Sequence, residues 1–179
     1  GKSIIPALVP RARVFAYDFQ SNVVPGIKPY EEPGYWRDVG ELDAYWRAHM
    51  DLLGETPAFD LDNRRWPIHA GRYDGPAARI IGGDLENTQV GEGSLVVRAT
   101  IRNSILGRGV WVNEGAVIED SIVMDFTSVG KGSHLRRVIV DRYNIIPAGL
   151  QLGLDPSADR ERYRVDTSGL VVGPRGGRR

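Results

Sequence analysis

Aliphatic side chains recur at intervals of five or six residues through the C-terminal half of the chain. The series comprises Val90, Val96, Ile101, Leu106, Val112, Ile118, Met124, Val129, Leu135, Val140, Ile146 and Leu152. Such an interval is too long for a helical stripe or for strand alternation, but it is typical of a hexapeptide solenoid, in which three short strands form one triangular coil. The pattern therefore predicts a mainly β protein containing a left-handed parallel β-helix.

Small residues follow this aliphatic series at regular offsets. Glycine comes directly after a member of the series at Gly91, Gly107, Gly130 and Gly153, and small residues lie four positions after a member at Ser94, Thr100, Ala116, Ser128 and Ser133. Each corner of the coil requires a tight turn, and the interior has little room beside one branched side chain per face. We therefore expect these small residues at the corners.

The N-terminal third contains a possible strand with one strongly apolar face. Residues 3–9 predict a short helix, and residues 13–19 alternate like a strand that places Phe15, Tyr17 and Phe19 on one side. One or two strands with a helix are marginal in water. This face therefore requires a partner, which is either the β-helix or the missing beginning of a larger sheet domain.

A helix and a long linker separate this strand from the solenoid. Residues 41–53 have apolar side chains at helical spacing and end before a glycine. We predict a domain remnant over residues 1–53, an inter-domain linker over 54–79 and the β-helix with its tail over 80–179. Within the tail, Asp155 and Pro156 predict the start of a helix over 157–164, and a last strand follows near 169–172.

Composition excludes several classes of function. Lysine plus arginine equals aspartate plus glutamate at 23 each, so no overall field attracts nucleic acid or an anionic membrane. The absence of cysteine excludes disulfides and thiolate chemistry. The sequence contains no run of about 18 apolar residues. We therefore expect a cytoplasmic protein with no nucleic-acid or membrane partner, and any anion site must be local.

Several motifs resemble those of one enzyme family. Residues 34–40 (GYWRDVG), 65–68 (RWPI), 102–106 (RNSIL) and 135–137 (LRR) resemble segments of bacterial glucose-1-phosphate adenylyltransferases, also called ADP-glucose pyrophosphorylases, in the family's order. The resemblance covers the chain to about residue 172. It implies that the β-helix is preceded by the C-terminal piece of an α/β nucleotidyltransferase domain.

The resemblance also implies a reaction and a set of site residues. In this family, ATP and glucose 1-phosphate give ADP-glucose and pyrophosphate for glycogen or starch synthesis, with Mg²⁺ bridging the phosphates. Asp38 matches a metal-binding aspartate, and Trp36 lies at the edge of the sugar-phosphate pocket. The family's glycine-rich nucleotide loop and catalytic lysine are absent from this sequence. We therefore expect these 179 residues alone to be inactive.

Four arginines are the candidate effector ligands. Members of the family respond to sugar-phosphate or nucleotide effectors bound between the two domains, and they assemble as homo-oligomers, commonly tetramers. By resemblance, Arg136, Arg137, Arg162 and Arg164 are expected to contact such an effector. From the residues alone, charges of this kind are more often on a solvated surface.

Three alternative functions remain open at the level of sequence. A hexapeptide acyltransferase shares the solenoid and uses a coil histidine as general base, and His134 is the histidine within the repeats. A noncatalytic module could use the β-helix only to join subunits. A related enzyme could use another base or sugar, as a guanylyltransferase for mannose 1-phosphate does.

Overall fold

A computed structural model of the chain describes residues 2–69 and 71–176. Its helices are α1 (Ile4–Leu8), a 3₁₀ turn (Phe19–Ser21), α2 (Leu42–Met50) and α3 (Pro156–Arg160). Its strands are β1 (Arg79–Val90), β2 (Leu95–Leu106), β3 (Trp111–Val112), β4 (Val117–Glu119), β5 (Ile122–Val123), β6 (Ser128–Val129), β7 (His134–Arg136), β8 (Val138–Val140), β9 (Ile145–Ile146), β10 (Gln151–Leu152), β11 (Arg164–Val165) and β12 (Val171–Gly173). The protein is mainly β, as predicted.

The strands wind into a parallel β-solenoid of about four turns. Successive segments of β2 pair in parallel with β3, β4 and β5, so this single strand contributes to all three faces of the coil. Face 1 continues through β3, β6 and β9, face 2 through β4, β7 and β10, and face 3 through β5, β8 and β12. The hexapeptide β-helix predicted from the aliphatic series is confirmed.

The coil period explains why the intervals alternate between five and six. Ile118 pairs with Ile101 in the preceding coil and with Leu135 in the next, and each partner lies 17 residues away. In these two steps the coil is therefore one residue shorter than three strict hexapeptides, and between β1 and β2 the repeat is 16 residues, as in the pair Ile80 and Val96. The side chains of Ile101, Ile118 and Leu135 are fully buried and stack along the solenoid axis.

One member of the predicted series is wrong. Met124 does not line the interior, because fully buried Val123 takes that position and pairs with Leu106 and Val140. Met124 instead packs on an outer apolar cluster together with Ile122. The short step falls one residue earlier than the sequence pattern indicated, and a one-residue slip turns a strand side chain to the opposite face.

Each corner of the coil stacks residues of left-handed backbone conformation. Asn87, Asn103, Asp120 and Arg137 form the polar corner, Arg98, Gly115, Gly132 and Gly149 form the glycine corner, and Gly93, Gly109, Phe126 and Tyr143 form the aromatic corner. Three of the four glycines that follow the aliphatic series do not have this conformation. A Cβ on Gly130, for example, would lie 2.5 Å from the amide nitrogen of Ala148 in the next coil, so close backbone approach requires this glycine.

The aromatic corner also anchors part of the linker. Phe126 and Tyr143 stack with ring centroids 5.4 Å apart, and the Tyr73 ring lies 6.3 Å from Phe126. Tyr73 occupies the space above Gly93, where a Cβ would lie 2.3 Å from the tyrosine hydroxyl oxygen. The carbonyl of Pro76 accepts a hydrogen bond from the Gly93 amide at 2.7 Å. This part of the linker is therefore packed against the solenoid.

Helix α2 docks on the outer side of face 3. Its side chains Leu42, Tyr45, Trp46 and Met50 pack against the buried side chains Ile122, Ile139 and Leu170. The apolar outer surface of face 3 explains this contact, because a strand with aliphatic residues on both sides must be covered on both. The helix predicted over 41–53 is therefore confirmed over Leu42–Met50, and its apolar stripe faces the β-helix.

The strand predicted over residues 13–19 is not formed. This segment runs as irregular chain into the 3₁₀ turn, and Phe15 and Tyr17 are 79% and 76% exposed. An extended segment forms a ladder only when a neighbouring strand accepts its backbone hydrogen bonds.

The helix start predicted in the C-terminal tail is confirmed. The Asp155 side chain accepts hydrogen bonds from the amides of Ser157 and Ala158, as its predicted cap role requires.

Two adjacent isoleucines in β9 test the inward direction of the aliphatic series. Ile146 is 5% exposed, whereas Ile145 is 56% exposed on the opposite side of the strand. Ile146→Lys should remove about 1.5–3 kcal/mol of apolar burial and add the larger cost of a buried charge. Thermal unfolding of the monomeric chain should therefore shift strongly downward for Ile146→Lys and little for Ile145→Lys. Equal shifts would contradict the assigned facing.

Candidate functional site

The predicted substrate residues lie in the loop that leads into α2. Trp36 is 66% exposed, and Asp38 is also exposed. The Asp38 Oδ1 accepts a hydrogen bond from the amide of Gly40 at 3.0 Å, which shapes the turn before the helix. Trp36 and Asp38 are therefore both open to solvent.

The alternate residues of this loop attach it to the C-terminal end of α2. Arg37 Nε lies 2.8 Å from Asp51 Oδ2, and the Tyr35 hydroxyl donates to the same oxygen at 3.2 Å. Arg37 Nη2 also donates to Glu32 Oε2 at 2.6 Å, and its guanidinium lies 4.4 Å from the centroid of the Tyr35 ring. The hydrogen bond to Glu32 raises the pKa of Arg37 and lowers the pKa of Glu32. The loop is thus held by a permanently charged group.

The Tyr35 ring also lines an apolar cavity. Its volume is about 450 Å³, and its walls include Tyr17, Phe19, Val23, Tyr35, Trp66 and Ile68. The Tyr35 ring stacks on Phe59 with centroids 5.0 Å apart. Many large apolar side chains of the N-terminal part, including Phe15, Tyr17 and Phe19, are exposed. An exposed apolar patch of this kind predicts that another segment or molecule covers it.

A buried carboxylate closes one side of this cavity. Glu31 is 7% exposed, and its two oxygens accept from the amides of Lys28 at 2.7 Å and Asp60 at 2.9 Å. Asp60 in turn accepts hydrogen bonds from the Lys28 ammonium and the Tyr30 hydroxyl. The hydrogen bond from Lys28, together with those from Tyr30 and the Asp62 amide, lowers the pKa of Asp60 to about 2. Sequence reasoning missed this cluster because its members lie about 30 residues apart without a recognisable motif.

The donor set is compatible with only part of a magnesium site. Within residues 2–69 and 71–176, no three histidine, aspartate or glutamate side chains are grouped to hold a metal ion. Asp38 nevertheless retains one oxygen that the Gly40 amide does not use. Magnesium is usually bound by one or two carboxylates together with substrate phosphates. Asp38 therefore fits as a single ligand, and further ligands must come from elsewhere.

The four predicted effector arginines have different surroundings. Arg137 is part-buried, and its Nη2 donates to Asp43 of α2 at 3.0 Å. Arg136, Arg162 and Arg164 are exposed, and none of their side chains forms an ion pair with another described residue. Arg164 lies opposite Val172 in the antiparallel pair of β11 and β12, one strand away from the Arg137 corner. Their role as effector ligands stays a prediction.

A contact between coils accounts for the histidine of the repeats. His134 Nε2 lies 3.0 Å from Glu119 Oε2 on the outer surface of face 2. The two residues belong to β7 and β4, which are neighbours in the parallel ladder. This geometry provides a structural explanation of His134 without a role as general base.

A profile of a known protein family matches the solenoid. The profile described as GlmU-like, C-terminal hexapeptide, matches residues 77–172. The chain belongs to this family. The match begins just before β1 and ends within β12, so nearly the whole β-solenoid of this hexapeptide family member is covered.

Curated relatives extend the similarity over nearly the whole chain. The hexapeptide family member is 45% identical to a glucose-1-phosphate adenylyltransferase of Thermodesulfovibrio yellowstonii over 99% of this chain and 44% of the relative. It is 39% identical to an enzyme of the same name from Corynebacterium jeikeium, over 96% of this chain and 42% of the relative. A third, from an Anaeromyxobacter species, is 40% identical over 98% and 44%. The predicted resemblance is confirmed, and the chain spans less than half the length of these relatives.

Across residues 2–69 and 71–176, no helix is both long and apolar enough to cross a membrane.

The low pKa of Asp60 predicts a local response to acid. The pKa of Asp60 in the folded protein is about 2, below its ordinary value of 3.8. The ionised carboxylate therefore stabilises the fold at every pH above 3.8. This contribution is lost as the pH falls through the folded-state value. The protection factors of the Lys28 and Asp60 amides against hydrogen exchange should fall between these pH values, and Asp60→Asn should flatten that dependence. An identical pH profile in the variant would contradict the assignment.

Proposed function

We propose that this chain is the C-terminal part of a glucose-1-phosphate adenylyltransferase that makes ADP-glucose and pyrophosphate from ATP and glucose 1-phosphate. The observation that carries the proposal is the 45% identity to the Thermodesulfovibrio yellowstonii enzyme along 99% of this chain. The similarity is not confined to the solenoid, because it includes the loop with Trp36 and Asp38. A solenoid shared with other hexapeptide proteins would not by itself favour this reaction.

The exposed side of the Trp36 loop provides groups suited to a sugar phosphate. Trp36 offers an apolar ring against which a hexose can pack. Asp38 offers a carboxylate oxygen to Mg²⁺, which when bound neutralises charge on the phosphate oxygens of the reacting groups. Arg37 and Tyr35 hold both residues by binding Asp51 at the end of α2. This chain thereby orients one wall of the proposed site.

The apolar cavity supports the view that the rest of the catalytic domain is a separate segment. Phe15, Tyr17 and Phe19 are exposed beside it, and the relatives are more than twice as long as this chain. We propose that the additional segment of the full-length enzyme covers this surface, pairs with residues 13–19 and supplies the ATP-binding loop. These 179 residues alone would then have no nucleotidyltransferase activity.

The solenoid is proposed to serve regulation and assembly. On face 1, the register places Trp111 and Ile145 in one outward row with Leu95 and Ser128. Trp111 and Ile145 are each 56% exposed, and this apolar row favours a contact between subunits of a homo-oligomer such as a tetramer. We propose that Arg136, Arg137, Arg162 and Arg164 contribute to an anionic effector site, and that the enzyme acts in cytoplasmic glycogen or starch synthesis.

A chimera tests the proposed reaction directly. In it, this chain replaces the matching 44% of the Thermodesulfovibrio yellowstonii enzyme. With ATP, glucose 1-phosphate and Mg²⁺, the chimera should form ADP-glucose and pyrophosphate, measured by chromatography and a coupled pyrophosphate assay. The 179-residue chain assayed alone should form neither. A folded chimera without activity, or turnover by the chain alone, would contradict the proposal.

Asp38→Asn in the same chimera tests the metal role of this carboxylate. Asparagine retains an oxygen that can accept the Gly40 amide but loses the charge that Mg²⁺ prefers. Loss of one such charge contact should lower kcat/KM by about 100-fold or more and raise the Mg²⁺ concentration needed for half-maximal rate. Glu41→Gln removes an exposed charge three residues later and should have little effect. Similar losses in both variants would argue against a specific role for Asp38.

A further inference from the structure

Helix α2 follows the polar corner of the solenoid from coil to coil. In its first turn, Asp43 pairs with Arg137. In its middle, Trp46 Nε1 donates to the Asp120 carbonyl of the previous coil at 2.7 Å. Beyond its end, the Gly54 amide donates to Asn87 Oδ1 at 2.6 Å. Three helical residues rise about 4.5 Å, which matches the spacing of about 4.8 Å between stacked strands. The helix is therefore in register with the coils.

Arg137 differs from the other residues of this corner. Asn87, Asn103 and Asp120 belong to the residue types that tolerate a left-handed backbone, whereas an arginine at φ 54° is strained. Such strain persists only where surrounding contacts impose it. The residue type at this corner is therefore not explained by the coil itself.

The contacts that hold Arg137 come largely from α2. Its Nη2 donates to Asp43 Oδ1 at 3.0 Å and to Ser168 Oγ at 3.3 Å, and its guanidinium lies 4.6 Å from the centroid of the Trp46 ring. Its Nε is buried without a hydrogen-bond partner among the described residues. The side chain is thus fixed by stacking and by one ion pair. Arg47 holds the other oxygen of Asp43 at 2.8 Å, which orients that carboxylate.

Both ends of α2 are connected to the loop that contains Trp36 and Asp38. Asp51, beyond its last turn, binds Arg37 and Tyr35, the residues that flank Trp36. Asp43, in its first turn, follows Asp38 by five residues. A displacement of α2 along or away from the polar corner must therefore displace the loop as well.

We propose that Arg137 is a positioning residue, which fixes α2 against the solenoid and thereby sets the location of the Trp36 and Asp38 loop. The inference rests on the proposed function in one respect, because that function gives the loop its substrate. Arg137 touches neither Trp36 nor Asp38 and acts through Asp43 and Trp46.

Hydrogen exchange of the 179-residue chain tests this role with a variant that preserves the corner. Arg137→Asn introduces the residue that two other coils already have at this position, so the backbone strain is relieved while the contacts to α2 are lost. Exchange of the amides of α2 and of residues 35–40 should accelerate by about three- to tenfold, since one stacked cation and one ion pair are removed. Exchange in β4, β7 and β8 should not change.

Two companion variants sharpen the test. Arg98→Asn is the matched control, because Arg98 is also left-handed, at φ 42°, but pairs with Glu114 at the glycine corner. It should leave exchange in α2 and the loop unchanged. Asp43→Asn should accelerate the same amides by a smaller factor, because Arg137 can still stack on Trp46, and the double variant should add little to Arg137→Asn, as residues in one interaction do. Unchanged exchange in α2 and the loop for Arg137→Asn, or equal acceleration in the solenoid strands, would overturn the proposal.

Kinetics of the chimera separate this inference from the proposed function. If the chimera is active, Arg137→Asn assayed without any anionic effector should raise KM for glucose 1-phosphate several-fold with a smaller change in kcat, and Arg98→Asn should change neither. An active chimera with unaltered KM in Arg137→Asn would overturn the positioning role and leave the proposed reaction intact. An inactive chimera would overturn the proposed reaction, and the exchange measurements would still decide whether Arg137 fixes the loop.

Discussion

Backbone hydrogen bonding between stacked coils imposes a nearly constant period on the C-terminal half of the chain. The ladders pair Ile101 with Ile118 and Ile118 with Leu135, so equivalent residues of successive coils lie in rows along the axis. The inward rows form the apolar core, and the outward rows determine what each face presents. Because every coil repeats at about 4.8 Å, any element that docks along the axis must match that repeat.

Helix α2 satisfies this requirement, and the N-terminal part depends on it. The outer surface of face 3 is apolar at Ile122 and Ile139, and α2 covers both. The polar corner beside them supplies the Asp120 carbonyl and the Arg137 guanidinium, which fix the helix lengthwise. The loop with Trp36 and Asp38 then follows from α2, because Arg37 and Tyr35 attach to Asp51 at its end.

The architecture was predictable from sequence because a repeated constraint leaves a repeated signal. Every coil needs inward aliphatic residues, and the series from Val96 to Leu152 reported them with one error of phase at Met124. The site was less predictable. Trp36 and Asp38 came from resemblance, whereas the Glu31 and Asp60 cluster depends on contacts between residues about 30 positions apart. The strand predicted at residues 13–19 failed because local alternation does not report whether a partner strand is present.

The linker behaves as a much shorter tether than its length in sequence suggests. On the N-terminal side, Asn63 donates to the Pro25 carbonyl at 3.0 Å and accepts from the Trp66 amide at 3.1 Å. On the solenoid side, the Gly71 carbonyl accepts from Arg108 at 3.3 Å, just before Tyr73 joins the aromatic corner. Only the stretch between Trp66 and Gly71 joins the two anchors, and five residues reach at most about 18 Å when fully extended. If α2 left the solenoid while these anchors held, the N-terminal part would remain within that radius, at a high effective concentration for docking again.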